Sequence, residues 1–203
     1  MKKIGYLHSG SFYQLTCLKD PLVQAFDVVP LYLPKLTEEE ILACDSLLLT
    51  NYMHKRFFRK FLPTFQHFLD DPHHKMVVEG ENDTQALLGV KTEERVVNFW
   101  GWRIGDNQGR ENKNPQSLMW NYFTEPSFHW HFHGAMELPE NAVSLVDVPE
   151  HNHDGCTSIV YYDDQSFAAP IVVSQMDASF HHGMGFMPGA TTHLLQSLHW
   201  LSV

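Results

Sequence analysis

The chain of 203 residues carries 14 basic against 24 acidic residues, a formal net charge of −10. That balance argues against nucleic acid and anionic membrane as general partners, and 43% hydrophobic with 13% aromatic content excludes a disordered chain. The length suits one domain, residues 1–203, with a full core.

In chain order, Ile4–His8 reads as a buried strand that opens into the turn Ser9-Gly10-Ser11. A helical pattern over residues 13–24 is interrupted by Pro21, and a second strand over 26–33 is closed by Pro34. Thr37-Glu38-Glu39-Glu40 is a capping box, with Thr37 at the N-cap and Glu40 returning the bond. A third strand covers 46–50. Phe57, Phe58, Phe61, Leu62, Phe65, Phe68 and Leu69 then recur at three-to-four spacing, an apolar helical stripe that Pro63 must kink or restart. Lys55, Arg56, Arg59 and Lys60 fall on the solvated side of that pattern. Lys75–Val78 is a fourth strand, and Thr84–Leu88 a brief helix closed by Gly89. Short apolar runs alternating with helices predict βα units and a parallel sheet.

The second half differs in character. Residues 95–104 and 118–123 are aromatic-rich and strand-like, with a polar loop over 105–115 between them. Further strands are expected over 128–133, 143–146, 157–162 and 170–174, and a last helix over 190–201. Cys17, Cys44 and Cys156 include no CxxC pair, so a disulfide framework is not expected. The first residues lack a secretory signal pattern, and no apolar run is long enough to span a bilayer. A cytoplasmic location without membrane attachment is the expectation.

Phe128-His129-Trp130-His131-Phe132-His133 carries the most distinctive chemistry. As a strand it places His129, His131 and His133 on one face and the aromatic residues on the other. Three imidazoles together suit zinc, iron, nickel or copper, so the cofactor reading is a divalent transition metal. The other reading is a strand whose polar face is merely solvated, with no cofactor. His131-x-His133-x3-Glu137 also matches the first metal motif of the cupins, but no glycine lies between Leu118 and His133. The βα pattern of the first ninety residues also has no place in a cupin barrel. His151-x-His153-x2-Cys156 offers zinc donors, although Asn152, Asp154 and Gly155 mark a plain turn.

The chain resembles the class I glutamine amidotransferase-like superfamily, in particular its ThuA-like branch. The resemblance rests on Ser46-Leu-Leu-Leu-Thr-Asn51, Lys75-Met-Val-Val-Glu-Gly-Glu81 and Gln85-Ala-Leu-Leu-Gly89. Ser158-Ile-Val-Tyr-Tyr-Asp-Asp164, Pro170-Ile-Val-Val173, Phe180-His181-His182-Gly183 and Leu198-His-Trp-Leu201 extend it. It implies a flavodoxin-like three-layer sandwich, its central sheet mostly parallel, with an antiparallel, aromatic-rich extension in the second half. In true amidotransferases a nucleophilic cysteine stands on a strained turn after a central strand. The matching turn, Val78-Glu79-Gly80-Glu81-Asn82, has neither Cys nor Ser, so glutaminase chemistry is not expected.

Ligands of open α/β sheets bind beyond the carboxyl ends of the strands. That rule gathers His8, Ser9, Ser11, Asn51, Tyr52, Glu79, Glu81 and Asn82. The resemblance adds His181 and His182 to the same crevice. Glu81 and His181 are the candidate catalytic pair, a carboxylate orienting an imidazole that moves a proton. The leading function is binding of a small molecule. ThuA relatives point to a sugar-derived one, for which Trp100, Trp102, Trp120 and Trp130 are candidate stacking platforms. The alternatives are a metal-dependent hydrolase or isomerase built on the histidines, and a non-enzymatic module that forms a homo-oligomer through its aromatic second half.

Overall fold

The computed structural model describes residues 2–203. Ile4–His8 (β1) is followed by helices Phe12–Lys19 (α1) and Pro21–Gln24 (α2), divided at Pro21, which cannot donate a hydrogen bond inside a helix. Val28–Tyr32 (β2) leads to Glu38–Leu42 (α3), which Thr37 and Glu40 cap reciprocally. Ser46–Leu49 (β3) precedes Lys55–Lys60 (α4) and Leu62–Leu69 (α5), the second starting afresh at Pro63. Lys75–Val78 (β4) is followed by Thr84–Leu88 (α6), which ends on left-handed Gly89. The parallel βα expectation holds throughout this half: β2, β1, β3 and β4 lie side by side in that order, all parallel.

The remaining strands are Thr92–Glu94 (β5), Glu111–Asn112 (β6), Gly134–Met136 (β7), Val143–Asp147 (β8), Ser158–Asp163 (β9) and Ile171–Ser174 (β10). β10 adds parallel to β4, and β9 then turns the sheet antiparallel. The antiparallel extension continues from β9 through β7 to β5, with β8 and β6 paired off that path. Ala178–Met184 (α7) and Pro188–Ser202 (α8) close the chain. No helix among the described residues is long and apolar enough to cross a membrane.

Strand alternation sends successive side chains to opposite faces, and each face has its own core. Leu47, Leu49, Met76, Val78, Ile171 and Val173 meet Ile41, Phe58, Phe65, Phe68 and Leu87 of α3 to α6. Ile4, Tyr6, Leu48, Val77 and Val172 point the other way, towards Cys17 of α1, Ala178 of α7 and Leu194 and Leu198 of α8. This is the three-layer arrangement expected. α1 and α7 approach so closely that a Cβ at Gly183 would stand 2.3 Å from the Tyr13 carbonyl oxygen.

Three expectations fail in the second half. Residues 95–104 and 118–123 are irregular or 3-10 helical (Gly101–Ile104 and Leu118–Asn121), not strands. Residues 128–133 are not a strand either: a 3-10 turn, Glu125–Phe128, runs into irregular chain before β7. The aromatic residues explain the misreading. Phe123, Phe128, Trp130 and Phe132 are all buried, but against α8 and the sheet face as a folded-over segment, not as alternate residues of a ladder. His181 and His182 lie in α7.

Candidate metal centre

Four side chains converge beyond the carboxyl end of β10: His131, His133, Asp177 and His181, whose ligand atoms all lie within 4.8 Å of one another. Backbone contacts assemble them. His133 donates its N–H to the Gln175 carbonyl at 2.9 Å, which lays the 131–133 segment against the exit of β10. Gly80 donates to Met176 O at 3.1 Å, and a Cβ at Gly80 would sit 2.7 Å from the Gln175 carbonyl carbon. Only glycine lets the turn after β4 reach the same place. Asp177 and His181 stand one helical turn apart at the start of α7 and so share a face.

The distances suit an ion. His131 Nε2 is 3.2 Å from His133 Nε2 and 3.1 Å from His181 Nε2. Asp177 Oδ1 is 3.1, 3.2 and 3.6 Å from the Nε2 atoms of His133, His181 and His131. Ligands about 2.1 Å from a common ion stand about 3.0–3.4 Å apart. Neutral imidazoles and one carboxylate are also the donor types that zinc, iron, nickel and copper accept. The protein's own hydrogen bonds leave the group incomplete: His131 Nδ1, His181 Nδ1 and both Asp177 oxygens are buried without a well-formed partner.

The charge states of His131 and Asp177 suit ligation. Burial pushes His131 down to about 3, against the pull of Asp177, so its ring is neutral and able to ligate. Burial opposes the charge on Asp177, but the close His133 and His181 rings hold its carboxyl at about 2. Burial lowers His133, yet Asp177 and Glu81 outweigh it and raise the ring above its ordinary value. His133 is the accessible member, with 26% of its side chain exposed, while the other three are almost wholly buried.

Glu81 stands at the mouth, its Oε2 3.6 Å from His133 Nδ1. A carboxylate behind a ligating histidine fixes the ring's tautomer and orientation. Glu81 (φ 60°) and Tyr52 (φ 57°) both hold left-handed backbone, costly for residues with a Cβ and typical of functional turns. The Tyr52 hydroxyl is directed at Glu81. Burial, then that hydrogen bond, holds the phenol well above its ordinary pKa.

The other expected residues divide. Glu79 is fully buried and takes hydrogen bonds from Ser179 N (3.0 Å), Ser179 Oγ (2.8 Å) and Asn51 N (3.3 Å). It anchors the first turn of α7, and burial pushes its carboxyl up to about 8. Asn82 donates to Leu49, Thr50 and Glu79 carbonyls, tying the ends of β3 and β4 together. Ser9 and Ser11 give their N–H groups to Gln14 Oε1. His8 leans on the Tyr32 ring. None of these reaches the cluster. His182 faces Asp20 and Thr191 instead.

His129 is a correction: with no strand to align it, its ring turns out to the surface and meets Glu125 at 3.2 Å. The group that could hold a metal ion therefore contains His131 and His133 of the expected three, with Asp177 and His181 in place of His129. Glu137 of the cupin-like motif is exposed and outside the group, and His151, His153 and Cys156 form no metal-binding group among the described residues. Of the tryptophans, Trp130 is fully buried and Trp100 exposed. Asp177 escaped the sequence reading, which expected no helix over 178–184 and so no shared face for Asp177 and His181; in the structure it stands at the N-cap of α7 and makes no side-chain cap bond. Its spacing of four from His181 was the available signal. A cavity of about 550 Å³ lies at the opposite, amino end of the parallel strands beside Lys75, Tyr162 and Trp200 and contains none of these histidines.

No protein-family model matches the chain, and no curated protein matches it in sequence. Solved structures do. The mmIFT52 N-terminal domain superposes with a TM-score of 0.59 at 10% identity, over 99% of this chain and 98% of that one. The glutaminase domain of Trypanosoma brucei CTPS with bound acivicin gives 0.54 at 11%, over 98% and 93%. Exo-β-1,4-mannosidase Op5Man5 from Opitutaceae bacterium strain TAV5 gives 0.53 at 7%, over 100% of this chain but 36% of that one. At such identities the likeness shows the fold alone: a flavodoxin-like α/β sandwich.

Proposed function

We propose that this protein is a metal-dependent hydrolase or isomerase of a small molecule, its divalent transition metal held by His131, His133, Asp177 and His181. The convergence of three imidazole nitrogens on one buried carboxylate oxygen at 3.1–3.6 Å carries the reading. A bound ion supplies Lewis acidity towards a substrate oxygen. The chain's part is Glu81, at the accessible edge of His133, which accepts or returns a proton, and Tyr52, which orients that carboxylate. His181 belongs to the ligand set, so the catalytic pair read from the sequence becomes ligand and base.

Glutamine hydrolysis is not part of this reading. The elbow position carries Glu81, and the cysteines are buried elsewhere, Cys17 with its thiol pushed up to about 12 by burial. Membership of the ThuA-like branch and a sugar-derived substrate rest on the sequence motifs alone. The test is turnover of ester, lactone and ketose substrates by protein loaded with Mn(II), Fe(II), Co(II), Ni(II) or Zn(II). Activity that chelation abolishes, and that Glu81→Gln lowers by about 10²–10⁴-fold, is expected. Turnover indifferent to chelation contradicts the reading.

A further inference from the structure

We infer that the substrate of this site, taken as the metal-dependent site above, presents a flat, uncharged apolar ring to an aromatic wall formed by Tyr52, Phe180 and Tyr13. The three rings form a mutually edge-on array, with centroids at 4.9 Å (Tyr13–Phe180), 5.9 Å (Tyr52–Phe180) and 6.4 Å (Tyr13–Tyr52). Phe180 is also 4.8 Å from the His181 ring, so the wall begins at the ligand set. Phe12 extends it, 5.9 Å from Tyr13. Tyr52 is 41% and Phe12 65% exposed. Exposed aromatic rings beside convergent polar groups are the usual lining of a small-molecule site, and edge-on arrays accept a further ring.

The charges beside the wall are negative. Glu81 and Asp177 face the cluster, and every ion pair of its members is histidine with carboxylate. Two arginines of the second half are committed elsewhere. Arg110 donates to the Trp130 and Asp106 carbonyls, and Arg103 lies over Trp100 at 4.2 Å. With the ion's charge offset by two carboxylates, a phosphate or carboxylate carried on the ring would meet Glu81 and Asp177 rather than a counter-charge from the ligand set.

Three hydroxamates test this on tag-free, Co(II)-loaded protein, read by the change in the Co(II) absorption. Benzohydroxamate should bind about tenfold more tightly than acetohydroxamate, which has no ring, and 4-carboxybenzohydroxamate more weakly than benzohydroxamate. Tyr52→Ala, a change at a half-exposed position, should remove the preference for the ring, and Tyr52→Phe should keep it. Co(II) uptake with equal affinity for the ringed and ringless probes, or a preference unchanged in Tyr52→Ala, overturns this inference and leaves the metal reading standing. Tighter binding of the carboxylated ring overturns it too. Failure to take up Co(II), or no response to any hydroxamate, overturns the metal reading and this inference with it.

Discussion

The two faces of the sheet answer different demands. Under α3 to α6 the packing is chiefly apolar, Phe58, Phe61, Phe65 and Phe68 lying over Leu47, Leu49, Met76 and Val78. No buried polar atom left without a partner belongs to those helices. The carboxyl edge beside α7 collects the opposite: the orphaned atoms of Asn51, His131, Asp177 and His181, and two residues in left-handed backbone. Each unsatisfied buried group costs about 1–3 kcal/mol and each left-handed residue about 1–2 kcal/mol. A fold retains such a cluster where a bound group satisfies it. One face supplies the stability that the other consumes.

Substitutions should separate the two. Phe65→Ala should cost about 3–5 kcal/mol by chemical denaturation and leave metal affinity unchanged under native conditions. Asp177→Asn should do the reverse, lowering metal affinity by about 100-fold (about 2.7 kcal/mol) while destabilising the ion-free protein far less than Phe65→Ala. Equal stability losses from the two would erase the distinction between the faces. At the rim, Glu81→Gln should weaken metal binding by about 10–100-fold, as for other partners of ligating histidines. Glu81→Gly should raise the melting temperature of the ion-free protein, because glycine relieves a left-handed strain of about 1 kcal/mol. A melting temperature lowered by that change would mean the turn is not strained.

The pH dependence of the ion-free protein is a finer probe. Burial holds His193 down at about 4, and Nε2 has no partner among the rings of Phe123, Phe128 and Trp130. The unfolded chain then binds the extra proton, so this contribution is present above about pH 6.5 and lost as pH falls towards 4. His131, at about 3, acts in the same direction. Glu79 has the opposite sign. Its folded value of about 8 exceeds the ordinary 4.5, so its contribution is complete below about pH 4.5 and lost as pH rises through 8. Denaturation between pH 5 and 9 should show both slopes, with Glu79→Gln flattening the alkaline one. An unchanged alkaline slope in that variant would show that Glu79 is ionised in the fold.

The parallel half was legible because its signals are local. Pro21 and Pro63 divide helices, Thr37 and Glu40 cap one, and Leu-Leu-Leu at 47–49 is a strand buried on both faces. Residues 95–133 were not, because their aromatic side chains pack against sequence-distant α7 and α8 and leave no two-residue period to read. The site shared that fate. His131, His133, Glu81 and His181 were visible as chemistry, but their meeting depends on the close approach at Gly80 and on the hydrogen bond from His133 to Gln175, both tertiary. The strand misreading promoted His129, and with no helix expected over 178–184 the four-residue spacing of Asp177 and His181 went unread.

Metal stoichiometry tests the central claim most directly. Tag-free protein, stripped with chelator and dialysed against Co(II) or Zn(II), should retain one ion per chain by elemental analysis. The Asp177→Asn/His181→Asn double variant, shown folded by circular dichroism, should retain none. An ion-free wild-type protein, or an equal metal content in the folded double variant, would contradict the account.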